Sequence, residues 1–367
     1  MATLAHLEAI LREAGEHYHI LALTDTASAL VTQRGGRILG IFPTPAGDNL
    51  LWTNSAAFDS LTTFQEFVAA GYWNLGGERI WIAPEIQYNV RDRRDFWGTL
   101  HVPPQMDPGV YRLNQHDSED GREAYLRLSA EIVLTAYALA TGEQSLSIER
   151  IITPVPNPLN AFSQVESWMQ DVVYCGYKQQ VMLDGEHTTA FSEAWNLVQV
   201  KAGGELIIPC APIVEASDYF GSVPEEARQI HGGDAPHLRL NITGQRQYKI
   251  GYKAVSMTGR MGYIHTLPDG RAYLLIRAFF NNPSNIYAEE PPELPGNNGH
   301  SVHVYNDGGE LGGAASFGEM ESSGHTVHGK SRQGCDKTAN DTFVMWAYVG
   351  ALDSIKRIAH LLLGVNL

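Results

Sequence analysis

The feature that most narrows the fold of this 367-residue chain is a long series of short apolar runs with almost no helical pattern between them. SALVTQRGGRILGIFP, NLLWTN, RIWIAPEIQYNV, EIVLTAYAL, SLSIERIITPV, KQQVMLD, AWNLVQV and GELIIPCAPIV open the series. HLRLNI, RMGYIHTL, AYLLIRAFF, SVHVYND, SFGEMESSG and DTFVMWAYV continue it. β-Branched and aromatic side chains fit a pleated, half-buried surface, and the Gly, Pro, Asn and Asp between the runs mark turns. Without strand–helix alternation, the pattern predicts a large all-β sandwich of antiparallel sheets and argues against a doubly wound or TIM-barrel fold. Helical spacing is confined to residues 3–14, where Leu4, Leu7, Ile10 and Leu11 recur on one face, to LTTFQEFVAA, and to the C-terminal ALDSIKRIAHLLLG. Residues 1–25 read as a helix and lead-in, and 26–367 as one β-sandwich domain.

Charge and cysteine content exclude several partners. The formal net charge is −15, so the average surface field repels polyanions and no nucleic-acid partner is expected. Cys175, Cys210 and Cys335 show neither zinc spacing nor a disulfide framework. No run approaches the ~18 apolar residues of a membrane span, and the charged N-terminal helix does not read as a signal peptide. A cytoplasmic protein with no membrane partner, metal or cofactor is the expectation. There is no P-loop, dinucleotide fingerprint or Gly-x-Ser-x-Gly elbow. His325 and His328 in the polar stretch SSGHTVHGKSRQGCDKTAND are expected to be exposed rather than ligands.

WNLGGERIWIAPE poses the sharpest question, because Glu78, Arg79 and Glu85 interrupt an otherwise buried-looking strand. Charges in such a run are costly unless paired or facing a polar ligand. Strand alternation puts Arg79 and Glu85 on one face, toward a cleft, and Glu78 on the other. In SFGEMESSG, Glu319 and Glu321 share a strand face, where mutual repulsion favours retaining one proton and suits acid–base chemistry. In HSVHVYNDGG, His303 falls opposite the valines. Trp195 and Gln199 share a face, the indole suited to stacking on a pyranose and the amide to binding a hydroxyl. Trp52, Trp81 and Trp346 are expected in the core. The Pro/Asn-rich stretch at 281–300 is long for a connection and reads as a segment over the mouth of a site.

The order of several segments resembles galactose-mutarotase-like proteins: VTQRGGRILGIFPTPAGDNLLW, LGGERIWIAPE, AWNLVQVKAGGELIIP, KIGYKAVSMTGRMGYI, YLLIRAFFNNPSNIY and FGEMESSG. The likeness spans about residues 26–365. It implies a β-supersandwich, two large twisted antiparallel sheets with a carbohydrate cleft on the concave face of one. It also implies that Arg79 grips sugar hydroxyls, for which a planar guanidinium is suited, and that Glu321 occupies the place of the mutarotase general base, with Ser322 where the family has proline. By the same resemblance Lys249 and Arg277 are cations available to a substrate carboxylate or to Glu319 and Glu321. One departure is chemical: SEAWNLV stands where aldose 1-epimerases carry a histidine that protonates the ring oxygen. Ser192 cannot do this, and Glu193 can only with a strongly raised pKa.

The resulting expectation is a protein that binds a small carbohydrate or oligosaccharide. It acts as an epimerase-like isomerase, lyase or hydrolase, with Glu321, His303 and Glu319 as catalytic groups and Arg79, Glu85, Trp195, Gln199, Lys249 and Arg277 binding substrate. The competing reading is a non-catalytic carbohydrate-binding or regulatory protein with the same cleft.

Overall fold

Alternation in the long run Tyr125–Ala136 sends Leu126, Leu128, Ile132 and Leu134 inward and leaves Arg127 and Glu131 in solvent, the pattern of a sheet with one wet face. The computed structural model describes residues 2–117, 124–138, 142–309, 316–330 and 335–367; Leu139 and residues 331–334 of the predicted runs lie outside these. The described strands form two antiparallel sheets of nine and ten strands. The larger runs, edge to edge, through Ile230–His231, His237–Ile242, Gly204–Pro209, Arg260–Thr266, Arg271–Phe279, Thr338–Ala351, Val173–His187, Gly142–Pro154, Tyr125–Ala136 and Arg112–His116. The smaller, which we call the cleft sheet, runs through Tyr18–Ala22, Ser28–Thr32, Arg37–Phe42, Glu78–Ala83, Glu193–Lys201, Phe317–Ser323, His300–Asn306, Tyr248–Lys253 and Ala216–Gly221.

Between the sheets lies one apolar core, with Ile80, Ile82, Val198, Val302, Val304 and Met320 from the cleft sheet and Val181, Leu183, Leu206, Ile208, Phe343 and Met345 from the other. Each such buried side chain contributes about 1.5–3 kcal/mol relative to exposure. The predicted all-β sandwich with a short N-terminal and a C-terminal helix is thus the observed architecture. Leu4–Glu13, capped by the Thr3 hydroxyl, and Leu61–Ala69, capped reciprocally by Ser60 and Thr63, pack on the cleft-sheet strands Ser28–Thr32 and Arg37–Phe42. Leu352–Leu363 lays Ile355, Ile358, Ala359 and Leu362 on the outer face of the ten-stranded sheet and stops at Gly364 in the left-handed conformation.

Three local expectations change. Tyr18–Ala22, inside the supposed lead-in, pairs with Ser28–Thr32 and is the first strand of the cleft sheet. NLLWTN is not a strand; the Asn49 amide instead bonds Ile41 N, Leu51 N and Leu39 O at 3.0 Å each, so a side chain does what a neighbouring ladder would. His328 is buried rather than exposed, with Nδ1 2.9 Å from Lys330 O and Nε2 3.2 Å from Thr189 O.

The central strands of the cleft sheet are covered on both faces. Glu78–Ala83, His300–Asn306 and Phe317–Ser323 are buried at every position. The irregular segments 84–111 and 281–299 lie against its second face, and the former walls the cleft described next.

Candidate active site

Residues directly opposite one another in antiparallel strands share a face. Register therefore sets two rows on the outer face of the cleft sheet. The first carries Arg79, Leu197, Glu321, His303 and Gly251. The second carries Gln199, Glu319, Tyr305 and Lys249. The charged groups pair between rows: Arg79 Nη1 lies 2.9 Å from Glu319 Oε1, and Lys249 Nζ 3.3 Å from Glu321 Oε2. Gln199 Nε2 donates to Glu319 at 2.9 Å and Trp195 Nε1 to Glu321 at 3.0 Å.

Glu78 points the other way, as alternation predicts. It pairs with Arg277 between the sheets and accepts from Tyr177, Gln179 and Asn196. Arg277 is therefore not a cleft residue. Its strand belongs to the ten-stranded sheet, and its guanidinium is spent on Glu78 in the interior.

The strand bearing Arg79 ends at Ala83 because Pro84 offers no N–H to a ladder. Glu85 thus opens a helical turn, Glu85–Tyr88, and its position owes nothing to the strand alternation predicted for it. It still reaches the cleft, where its carboxylate lies 3.0 Å from Lys249 Nζ while its backbone N–H donates to Glu289. Lys249 does not offer a free charge to a substrate carboxylate: it is held between Glu85 and Glu321.

On the far edge strand, a β-bulge between Asp218 and Phe220 turns two consecutive aromatic rings to the same side. Tyr219 covers His303, ring centres 4.8 Å apart, above Gly251. Only glycine fits there, since a Cβ on Gly251 would meet the Tyr219 ring at 2.5 Å. His303 is consequently on the predicted face but sealed from the cleft, with neither ring nitrogen hydrogen-bonded among the described residues. Burial, then Lys249 and His300, push its pKa well below the usual histidine value. It is a neutral packing residue and not a proton donor, which corrects its catalytic assignment.

What remains open is a cleft of about 260 Å³. Trp73, Trp81, Trp97, Trp195, Phe220 and Phe317 form its aromatic surface, and Arg79, Glu85, Asn89, Lys249, Glu319 and Glu321 its polar groups. Trp81 is thus a wall residue rather than core alone; the Arg79 guanidinium stacks 4.3 Å from its ring. Lys249 Nζ sits 4.3 Å from the Trp195 ring centre. Gln199 acts from behind, through Glu319. Trp97, Asn89 and His101 come from segment 89–102, whose helical turns Arg93–Asp95 and Phe96–Thr99 are too short for periodicity to announce them. Gln199 Oε1, Arg79 Nε and both amide atoms of Asn89 are buried without a hydrogen-bond partner among the described residues. Such atoms are rare and costly unless something polar meets them.

Burial pushes the Glu321 carboxyl up to about 7, with Glu319 and Glu85 adding to the rise and Lys249 opposing it. Burial is the main cause, with the predicted repulsion by Glu319 a smaller one. Glu289 is raised by burial and then by Glu85. For Lys249, burial alone would lower the pKa, but Glu321, Glu85 and Glu289 outweigh it and hold the ammonium above the usual lysine range. Ser192, which with Glu193 the sequence resemblance sets near the place of the mutarotase acid, is tied to Tyr88 Oη at 2.6 Å. Glu193 accepts from Ala288 N and Thr326 Oγ1, each at 2.6 Å, and burial raises it to about 7. Glu193 thus contacts the 281–300 segment, which is pinned beside the cleft rather than over its mouth and contributes no lining residue.

The described residues contain no cluster of three or more His, Cys, Asp or Glu placed to hold a metal ion, and no helix long and apolar enough to cross a membrane. Comparison with curated protein sequences finds no match. Among solved structures, a GalM/aldose epimerase homologue from C. elegans superposes with a TM-score of 0.44 at 10% identity, over 92% of this chain and 99% of that one. The model of one sequence family matches residues 10–367, and the chain belongs to it: the family of unknown function DUF6786.

Proposed function

We propose that this chain binds a single sugar ring in the aromatic cleft and catalyses proton transfer on it, as an epimerase-like isomerase with Glu321 as the base. One observation carries the reading. Glu321 is a buried carboxylate on the cleft wall, held between Trp195 Nε1 and Lys249, with a pKa raised to about 7. A general base works best when its pKa lies near the working pH. The indole and phenyl rings supply flat apolar surfaces for a pyranose face, and the unpartnered atoms of Asn89 and Arg79 supply hydroxyl partners.

In this reading Glu321 takes the proton of the anomeric hydroxyl as the bond from C1 to the ring oxygen opens. The ring oxygen takes a proton from His101, and both transfers reverse on reclosure. His101 is a wall residue whose Nδ1 is fixed 2.9 Å from Asn89 O, leaving Nε2 outside the protein's hydrogen bonds. Glu321→Gln keeps shape and most contacts but removes the base, so turnover falls ~100- to 10,000-fold while the thermal melt is preserved. Nδ1 being committed to Asn89 O, only protonated His101 can give a proton from Nε2, so turnover needs ionised Glu321 and protonated His101 together and is bell-shaped in pH, with its rising limb near 7 set by Glu321. A Glu321→Gln protein with full activity rules this mechanism out.

A second reading, sugar binding without turnover, is favoured by the fate of the family's acid position, since Ser192 and Glu193 are sealed. A parent protein that binds sugars yet exchanges no anomeric configuration decides for it.

A further inference from the structure

The charges of the cleft narrow the ligand beyond "a sugar". Both cations on the wall are already matched, Arg79 by Glu319 at 2.9 Å and Lys249 by Glu85 at 3.0 Å and Glu321 at 3.3 Å. Three wall carboxylates thus face two wall cations, and Glu289, which burial and Glu85 push toward its neutral form, stands directly behind Glu85. A ligand carboxylate or phosphate entering here finds both wall cations already paired and three carboxylates facing it, with His101 the remaining basic side chain of the wall, in a partly dry site where unpaired charge is most expensive.

Glu85 is the member of this group that can receive a cation. Its side chain is the most accessible of the four carboxylates on the wall and behind it, 15% exposed, and only its Oε2 is engaged, by Lys249. Four residues on, Asn89 is fully buried on the same wall, with its amide oxygen and nitrogen both unpartnered. That is an acceptor for an ammonium flanked by a donor and an acceptor for neighbouring hydroxyls. Trp97, 54% exposed on the wall of the cleft, adds an indole face that tolerates and attracts positive charge.

We propose that the cleft selects a sugar carrying a protonated primary amine, seats that amine on Glu85, and rejects uronates and sugar phosphates. The proposal rests on the cleft being a sugar site, and its test separates the two claims.

Calorimetric titration of the full chain at neutral pH would compare glucosamine and galactosamine with glucose, galactose, their N-acetyl amines, their uronates and their 6-phosphates. The N-acetyl compounds keep a substituent at the same carbon and lose the charge. Amines should bind roughly ten-fold tighter than either neutral partner, the scale of one charge-assisted hydrogen bond, and uronates and phosphates should give no heat of binding. In Glu85→Gln, checked by its melt, the amine-to-hexose ratio should fall close to one. Equal affinity of amine and hexose in the parent protein, or uronate binding at hexose strength, overturns the charge selection and leaves the sugar site standing. A folded protein that binds none of these compounds removes both.

Discussion

Glu78 and Arg79 are neighbours in the chain, yet each anchors a charged cluster on a different face of one strand. The inward carboxylate is filled, while Arg277 Nε and Nη1 and Asn196 Oδ1 beside it have no hydrogen-bond partner among the described residues. Glu78 has two partners on each oxygen: Tyr177 and Arg277 on one, Gln179 and Asn196 on the other. The outward cluster is unfinished, with more wall carboxylates than cations and with atoms of Arg79, Asn89 and Gln199 left unpartnered. Burial is as complete for Arg79 as for Glu78, so exposure does not separate a structural charge from one poised for a ligand. The filling of the carboxylates does: Glu78 is engaged on both oxygens, whereas Glu319 and Glu321 are each engaged on one among the described residues.

The comparison can be broken most forcefully from the inside. Arg277→Met leaves Glu78 buried without its counter-charge and should destabilise the fold by about 3–5 kcal/mol in denaturant melts. Adding Glu78→Gln should recover much of that loss, since neutral partners can share the amide. If Arg277→Met weakens sugar binding without moving the melt, the assignment of the two clusters is inverted.

Glu193 sharpens the contrast, being a buried carboxylate served by neutral donors only among its hydrogen-bond partners. Its pKa, about 7 in the folded chain, lies above the ordinary carboxylate value, so between roughly pH 4.5 and 7 the folded state holds a proton that the unfolded state has released. Its share of stability is complete below that window and lost as pH rises through it, by up to about 3 kcal/mol. Glu193→Gln should flatten the decline of melting temperature between pH 5 and 8. An unchanged slope would show that this carboxyl titrates normally.

The smallest effect belongs to the outward cluster. Arg79→Ala should weaken affinity for whichever sugar binds by ~1.5–3 kcal/mol, as for one hydrogen bond from a charged group. Unaltered affinity would move the ligand away from that wall.

Strand alternation alone makes the opposite directions of Glu78 and Arg79 legible in the sequence, and the spacing of Glu319 and Glu321 does the same for their shared face. Alternation cannot say which sheet a strand joins. LLIRAFF has the same apolar character as the cleft strands, so Arg277 reads as a cleft cation until topology places it in the other layer. Nor does alternation show what lies on top: His303 shares the face of Glu321 but is lost to the cleft through a bulge that no pattern in ASDYFG announces. Arg112–His116 and Ala216–Gly221 are polar enough to read as loops and owe their strand state to pairing with neighbours. Glu289 and Asn89 sit in irregular backbone, where only three-dimensional contacts assign a role.

The depth of the ten-stranded sheet also makes the molecule its own recorder of opening. Cys175, opposite Ala347 in the ladder, lies fully buried in the core between the sheets, and burial pushes its thiol up to about 12. Thiolate, the form that alkylating reagents attack, is therefore scarce in the closed state and out of their reach. Covalent labelling of Cys175 must wait until the two sheets part over Val173–His187, so its rate under mild conditions reports how often the core opens.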